Sequence, residues 1–352
     1  MAFEFQRIRD RKLALSSRKQ TANGTALADA LVDEAARQTD TAARAITKEF
    51  RSDLDQIKGD EFASDLQERR RDLRFTLAAD LNSWLAAFAA AFTLGKVTTT
   101  QPDVINDPNA FQHVILATTP PGDSVLLPMT TLSQRVSADI NEKLVDMVVR
   151  AMTLSGANNS AALGLSIEMI GSGLTAAGVV AYPALASPEI GLLFNSDMII
   201  SLGPEGAPVD ISERIQDWSV TLTNNFDENL AYFPGSGLFR GRFPHGDRRL
   251  NASLGVFIKD VDDIKTLFDG IDKKELKFKV EGLLTTGGVA IKHSLELRLP
   301  AIRMTALEPA DDSGFGLWRI EIGPEGVMRG ATLTEPFQFK IINEEATFLA
   351  TV

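Results

Sequence analysis

"RIQDWSVTLTNN", residues 214–225, sets Trp218, Val220 and Leu222 alternately with Ser219, Thr221 and Thr223, then stops at two asparagines. A period of two, apolar on one side and polar on the other, marks a β-strand with one dry and one wet face. The pattern returns in "KHSLELRLPAI" (292–302), "LWRIEI" (317–322) and "PFQFKIIN" (336–343). In the first of these Leu295, Leu297 and Leu299 are the dry side and Ser294, Glu296 and Arg298 the wet side. In "ELKFKVEG" (275–282) the wet side carries Lys277, Lys279 and Glu281. Such strands suit a sheet with one solvated face, which can line a wide water-filled channel.

The same signal marks strands in the first half, at "RRDLRFTL" (70–77), "FQHVILATTP" (111–120), "VLLPMTTL" (125–132), "KLVDMVVRAMTLSG" (143–156) and "LGLSIEMIGSG" (163–173). Three helices are expected. The alanine-rich stretch Thr25–Arg44 places Leu27 and Leu31 on one face. Asp80 caps a second, in which Leu81, Trp84, Leu85, Phe88 and Phe92 follow i, i+3, i+4 spacing up to Gly95. "KDVDDIKTLFDG" (259–270) is the third, with Val261, Ile264, Leu267 and Phe268 on one face and Gly270 at its end.

With 352 residues, 44% of them hydrophobic, the chain is long enough for two cores. The order double arginine, strand, helix, glycine occurs twice, from Arg70-Arg71 to Gly95 and from Arg248-Arg249 to Gly270. This reads as a diverged duplication offset by about 175 residues. The Gly/Ala/Pro-rich interval 173–191 then reads as a linker. The expected organisation is a basic arm (1–24), a first domain (25–171), a linker with a connecting strand (172–210) and a second domain (211–352).

Charge is uneven. Residues 1–20 hold six Lys/Arg (Arg7, Arg9, Arg11, Lys12, Arg18, Lys19) and two acids, leaving 30 and 45 for the rest, so +4 precedes −15. The arm is expected to dock on an acidic neighbour, and the acidic body argues against tight DNA binding. Zero cysteines exclude disulfides, cysteine-ligated metals and thiol nucleophiles. The longest apolar run, "WLAAFAAAFTL" (84–94), is shorter than the roughly 18 residues a membrane helix needs. The N-terminal stretch has no apolar core of a signal peptide, so a soluble chain made in a cytoplasm is expected.

Residues suited to chemistry are few. His113, His245 and His293 stand apart in sequence and form no helical metal pair. No "GxSxG" elbow marks a serine nucleophile, although a Ser/His/acid set assembled in space stays open. "GxxxxGK[ST]" is absent, and "GPEGAP" (203–208) and "GPEGVM" (323–328) read as turns. Asp262-Asp263, Asp311-Asp312 and Glu344-Glu345 lack the spacing of a calcium loop and read as solvated surface. No catalytic, cofactor-binding or metal residue is assigned.

The second half, about residues 208–343, resembles the tail tube (major tail) protein of long-tailed, siphovirus-like bacteriophages. The resemblance is carried by "DISERIQDWSVTLTNNFDENLAYFPGSG", "GDRRLNASLGVFIKDVDDIKTLFDG", "HSLELRLPAI" and "EPFQFKIIN". It implies a mainly β fold with flanking helices, in which β-sandwich domains, two per chain if the duplication holds, close into a ring with an inner β-barrel. The implied function is structural: a virion protein, assembled in the host cytoplasm, whose stacked rings conduct DNA at ejection without binding it. It needs no cofactor and no membrane. Its partners are other copies, in rings of three two-domain chains or of six, and the tape measure, terminator and distal tail proteins. The alternatives are another tail ring component (distal tail, hub or terminator protein) and, further off, a β-sandwich binding protein or enzyme.

Overall fold

The computed structural model describes residues 12–28, 34–35, 41–54, 63–118, 126–135, 141–158, 160–177, 191–225, 228–235, 237–244, 246–257, 273–312 and 315–350. In chain order the first strands are β1 (Lys12–Leu15), β2 (Glu34–Ala35), β3 (Thr41–Leu54) and β4 (Ala63–Asp80). Helix α1 (Ser83–Leu94) follows, then β5 (Gly95–Thr100), β6 (Phe111–Ala117), β7 (Thr130–Arg135), β8 (Asn141–Ala157), β9 (Gly164–Gly171) and β10 (Thr175–Ala177). The second half holds β11 (Met198–Gly203), β12 (Val209–Asp210), β13 (Ile215–Asn225), β14 (Asp247–Phe257), β15 (Lys274–Leu284) and β16 (Lys292–Ile302). β17 (Ala306–Asp312), β18 (Phe315–Ile322), β19 (Val327–Met328) and β20 (Gln338–Asn343) complete it. The fold is mainly β and its ladders are antiparallel.

Two sheets sandwich α1. The larger runs β3-β4-β9-β8-β13-β14-β18-β17, with β7, β1, β2 and β10 attached to the first part of β8; the smaller runs β12-β11-β15-β16-β20-β6-β5, with β19 beside β16. Alternation places Trp218, Val220 and Leu222 of β13 inward, where Trp218 meets Phe278 of β15 at 5.1 Å between ring centroids. α1 is apolar all round and buried at every position except Trp84, as a helix between two sheets must be. Its Asn82 cap accepts the Leu85 N–H at 2.7 Å, and Gly95 ends it at φ 84°, a left-handed conformation that favours glycine. Asp80, the expected cap, is instead the last residue of β4. Among the described residues no helix is long and apolar enough to cross a membrane.

Several expectations change. Thr25–Arg44 does not form a helix where it is described: Glu34–Ala35 pairs with β1, and Thr41–Arg44 opens β3, where a ladder to β4 outweighs alanine's weak helical preference. The arm does not extend to residue 24, because β1 pairs with β7 and Leu13, Leu15 and Ser17 are buried; Arg7, Arg9 and Arg11 lie outside the described residues. The interval 172–210 is not only a linker, since β10 pairs with β8 and β11 with β15. Nor do the halves separate into two bodies: β8 pairs with β13, β6 with β20, and one apolar core spans both. The third expected helix, residues 259–270, lies outside the described residues.

The duplication takes another form in the pairing. β3-β4-β9-β8 and β13-β14-β18-β17 are both laid out as first, second, fourth and third strand, and the two units run in the same direction along one continuous sheet. The third strand of the first unit, β8, pairs with the first strand of the second, β13. The smaller sheet does not repeat: β6 and β16 flank β20 in mirrored order.

Candidate functional site

His113 and His293 are both buried. Nδ1 of His113 is 2.9 Å from Thr99 Oγ1 and Nε2 is 3.0 Å from Asn343 Oδ1, so it ties β6 to β5 and β20. The structure also assembles a Ser/His/acid set that is not contiguous in sequence. Ser83 Oγ lies 2.9 Å from His293 Nδ1, and His293 Nε2 lies 3.3 Å from Glu344 Oε1. Ser83 is only 1% exposed, and its N–H donates to Gly191 O at 2.8 Å. A Cβ on Gly191 would come within 3.2 Å of Ser83 Oγ, so backbone covers the hydroxyl and leaves no approach for an acyl group. The set fastens the start of α1 to β16 and the C-terminal tail. His245, Asp262 and Asp263 lie outside the described residues.

Burial holds both histidines below their ordinary pKa of 6.5, against the hydrogen bond that Asn343 accepts from His113 and the charge of Glu344 at His293. The unfolded chain therefore takes up these protons first as pH falls, and stability drops below pH 6.5 until the folded histidines also protonate. The urea midpoint is expected to fall between about pH 7 and pH 5, and less steeply in His293→Gln. Parallel curves for the two proteins would rule His293 out as a contributor.

A polar network around a buried arginine lies at the other end of α1, under the long connection between β13 and β14. Residues 228–244 of that connection fold back over the first unit. The Arg71 N–H donates to Leu238 O at 3.0 Å, and the Arg240 N–H donates to Ser172 O at 3.1 Å. Beneath them Leu127, Val148, Ile170 and Phe243 form a small separate core. The Arg240 side chain, 1% exposed, pairs with Asp72 and with Glu228 (2.9 Å), and it donates to Gly171 O at 3.0 Å. Tyr232 donates to Asp72 Oδ1 at 3.0 Å, and burial pushes its phenol up to about 12. A cleft of about 210 Å³, lined by Thr47, Glu49, Arg70, Asp72, Glu228, Tyr232 and Arg240, opens beside them. The sequence of this connection is rich in Gly and Pro and marks only a loop; the double arginine at 70–71 and Tyr232 are its signals of a polar network.

The smaller sheet covers one face of the larger and leaves the other open. Through the register, Ser166, Thr153, Thr221 and Asn251 lie side by side on the open face, with Gly164, Ser155, Ser219 and Ser253 in the neighbouring row. The Thr153 and Thr221 hydroxyls are 3.0 Å apart. Around this uncharged belt, charges pair: Arg150 with Glu168 at 3.1 Å and Arg319 with Asp217 at 3.3 Å. The sheet is not closed. β3 pairs only with β4 and β17 only with β18 among the described residues, and Ala43–Glu49 of β3 are exposed throughout. These are two open edges, the usual templates for another chain.

No protein-family model matches this chain, and no curated protein matches it in sequence.

Proposed function

We propose that the chain is a self-assembling structural protein that builds the tail tube of a bacteriophage, in rings of three copies. One observation carries this reading: the four-strand unit occurs twice in one sheet, and its internal β8–β13 junction is the one a neighbouring copy would repeat between β17 and β3. A head-to-tail interface of this kind closes into a ring if the rotation allows. Each chain supplies two wedges, so three chains would give a pseudo-sixfold barrel of 24 strands, eight from each chain.

The open face would then line the lumen. Hydroxyls at its centre and paired charges beside them would offer phosphates little to hold. The closed-off Ser83 also favours a structural role over hydrolysis. Native mass spectrometry and symmetry analysis of electron micrographs of the purified protein test the reading. Rings of three chains are expected, with no added cofactor. A monomer at high concentration, or six whole chains in each ring, would overturn it.

A further inference from the structure

The sequence holds one Asn-Gly step, Asn23-Gly24, and the fold sets it against a buried acid far along the chain. Ala22–Thr25 form a turn in which the Thr25 N–H donates to Ala22 O at 3.3 Å and Gly24 stands at φ 79°, a left-handed conformation that favours glycine. Asn23 and Gly24 are exposed. Beneath them Asp146 interrupts β8 at φ 56°, a conformation that costs any residue with a Cβ, and it is fully buried. Its Oδ1 accepts the Gly24 N–H at 2.8 Å and Gln20 Nε2 at 2.9 Å, and its own N–H donates to Gln20 Oε1 at 2.9 Å. Asp146 Oδ2 meets no donor at hydrogen-bond distance. These bonds form a clasp that holds residues 20–25 on β8.

Asparagine is chemically labile, above all before glycine, where no side chain shields the next backbone nitrogen from the asparagine's own carbonyl carbon. The proton on that nitrogen ordinarily slows the attack. In this turn the proton points at a carboxylate. Burial raises Asp146 above the ordinary 3.8, so it takes a proton more readily than a solvated carboxylate does. The amide that must leave is lightly held, since Asn23 Nδ2 reaches Arg240 O only at 3.4 Å, beyond the usual range. The exposed Asn23 side chain can therefore turn towards Gly24.

We propose that Asn23-Gly24 is a self-modification site, at which Asp146 serves as the base for an intramolecular deamidation. The Gly24 nitrogen gives its proton to Asp146 and bonds to the Asn23 side-chain carbonyl carbon. That carbon sheds its amino group, which leaves as ammonia with the proton that Asp146 returns. The cyclic succinimide left behind is opened by water at either carbonyl, to aspartate or to isoaspartate, and no oxidant or reductant takes part. Isoaspartate lengthens the main chain by one carbon inside the turn, and both products add a carboxylate close to that of Asp146. Deamidation thus loosens the clasp. Nothing in this step depends on assembly.

Full-length protein aged at neutral pH tests it, with peptide mass spectrometry following residue 23 from asparagine to aspartate and isoaspartate. Conversion should run at least about tenfold faster in the folded protein than in the same protein unfolded in urea, where Asp146 no longer stands beside Gly24. Asp146→Asn keeps an oxygen for Gln20 and Gly24 but takes up no proton, so conversion should slow by at least about tenfold while circular dichroism is unchanged. Asn195-Ser196, whose amide is held on Ala157 O at 3.0 Å, should stay asparagine in the same digests. In the converted fraction the amides of residues 20–25 should exchange hydrogen faster. If Asp146→Asn does not fold, the comparison of folded with unfolded protein decides alone. Conversion no faster in the folded protein than in urea, or undiminished in folded Asp146→Asn, would overturn the site, and equal hydrogen exchange would overturn the loosening of the clasp.

Discussion

Arg240→Met is expected to lower the unfolding free energy by about 3 kcal/mol, the low end of what removing one partner from a buried ion pair costs. The guanidinium is itself 1% exposed, whereas Asp72 and Glu228 keep 35% and 28% of their side-chain surface open to water. Asp72 can therefore recover part of its hydration and Glu228 keeps Arg74 and Arg150 as partners, which holds the loss near the bottom of the range. Gly171 O loses a donor as well, and the strap loses its hold on β4 and β9. The damage should be local first: limited proteolysis should cut within residues 228–244 before the body unfolds. Urea unfolding measures the total. A loss under about 1 kcal/mol would mean that the strap is held by Phe243 and its small core, not by this charge. Combining Arg240→Met with Asp72→Asn should restore part of the loss, because Asp72 then leaves no unpaired charge while Glu228 keeps Arg74 and Arg150.

The elements legible in the sequence were those whose pattern is local. Alternation located β13, β14, β16, β18 and β20, and 3.6-residue spacing with a closing glycine located α1, because burial on one face writes directly into neighbouring residues. Pairing is not local, and it decided the rest. Nothing in "TAARAITKEF" says that Arg44 will lie opposite Phe75, and alanine content pointed to a helix. The double arginines suggested a repeat but not its form: the repeat lies in strand order, while the two halves share both sheets and the core. The candidate surfaces were harder still to see. Ser83, His293 and Glu344 are far apart in sequence, and Arg240 sits in a Gly/Pro-rich segment whose composition predicts exposure.

Proline pairs on the open edge strand β3 are expected to abolish ring closure while leaving folded monomers. In an antiparallel strand, successive N–H groups point alternately to the paired neighbour and to the free side. Of the two variants Ala43→Pro/Ala45→Pro and Arg44→Pro/Ile46→Pro, one therefore removes donors aimed at β4 and the other removes donors aimed at the open edge. The first kind should melt the β3–β4 ladder. The second should fold normally and fail to pair. β17 already contains Pro309, which edge strands tolerate and which blunts stray pairing, so its remaining donors depend on an intact β3. The magnitude follows from closure. If prolines in a ladder cost about 3 kcal/mol at one junction, a ring of three carries the defect at every junction and loses about 9 kcal/mol, enough to empty the ring state at micromolar protein. Light scattering and negative-stain images of both variants decide the matter. Rings at wild-type abundance from both would show that β3 is not the closing edge. Rings lost from one variant whose circular dichroism is unchanged would make β3 the strand that receives the next chain, as β13 receives β8 within the chain.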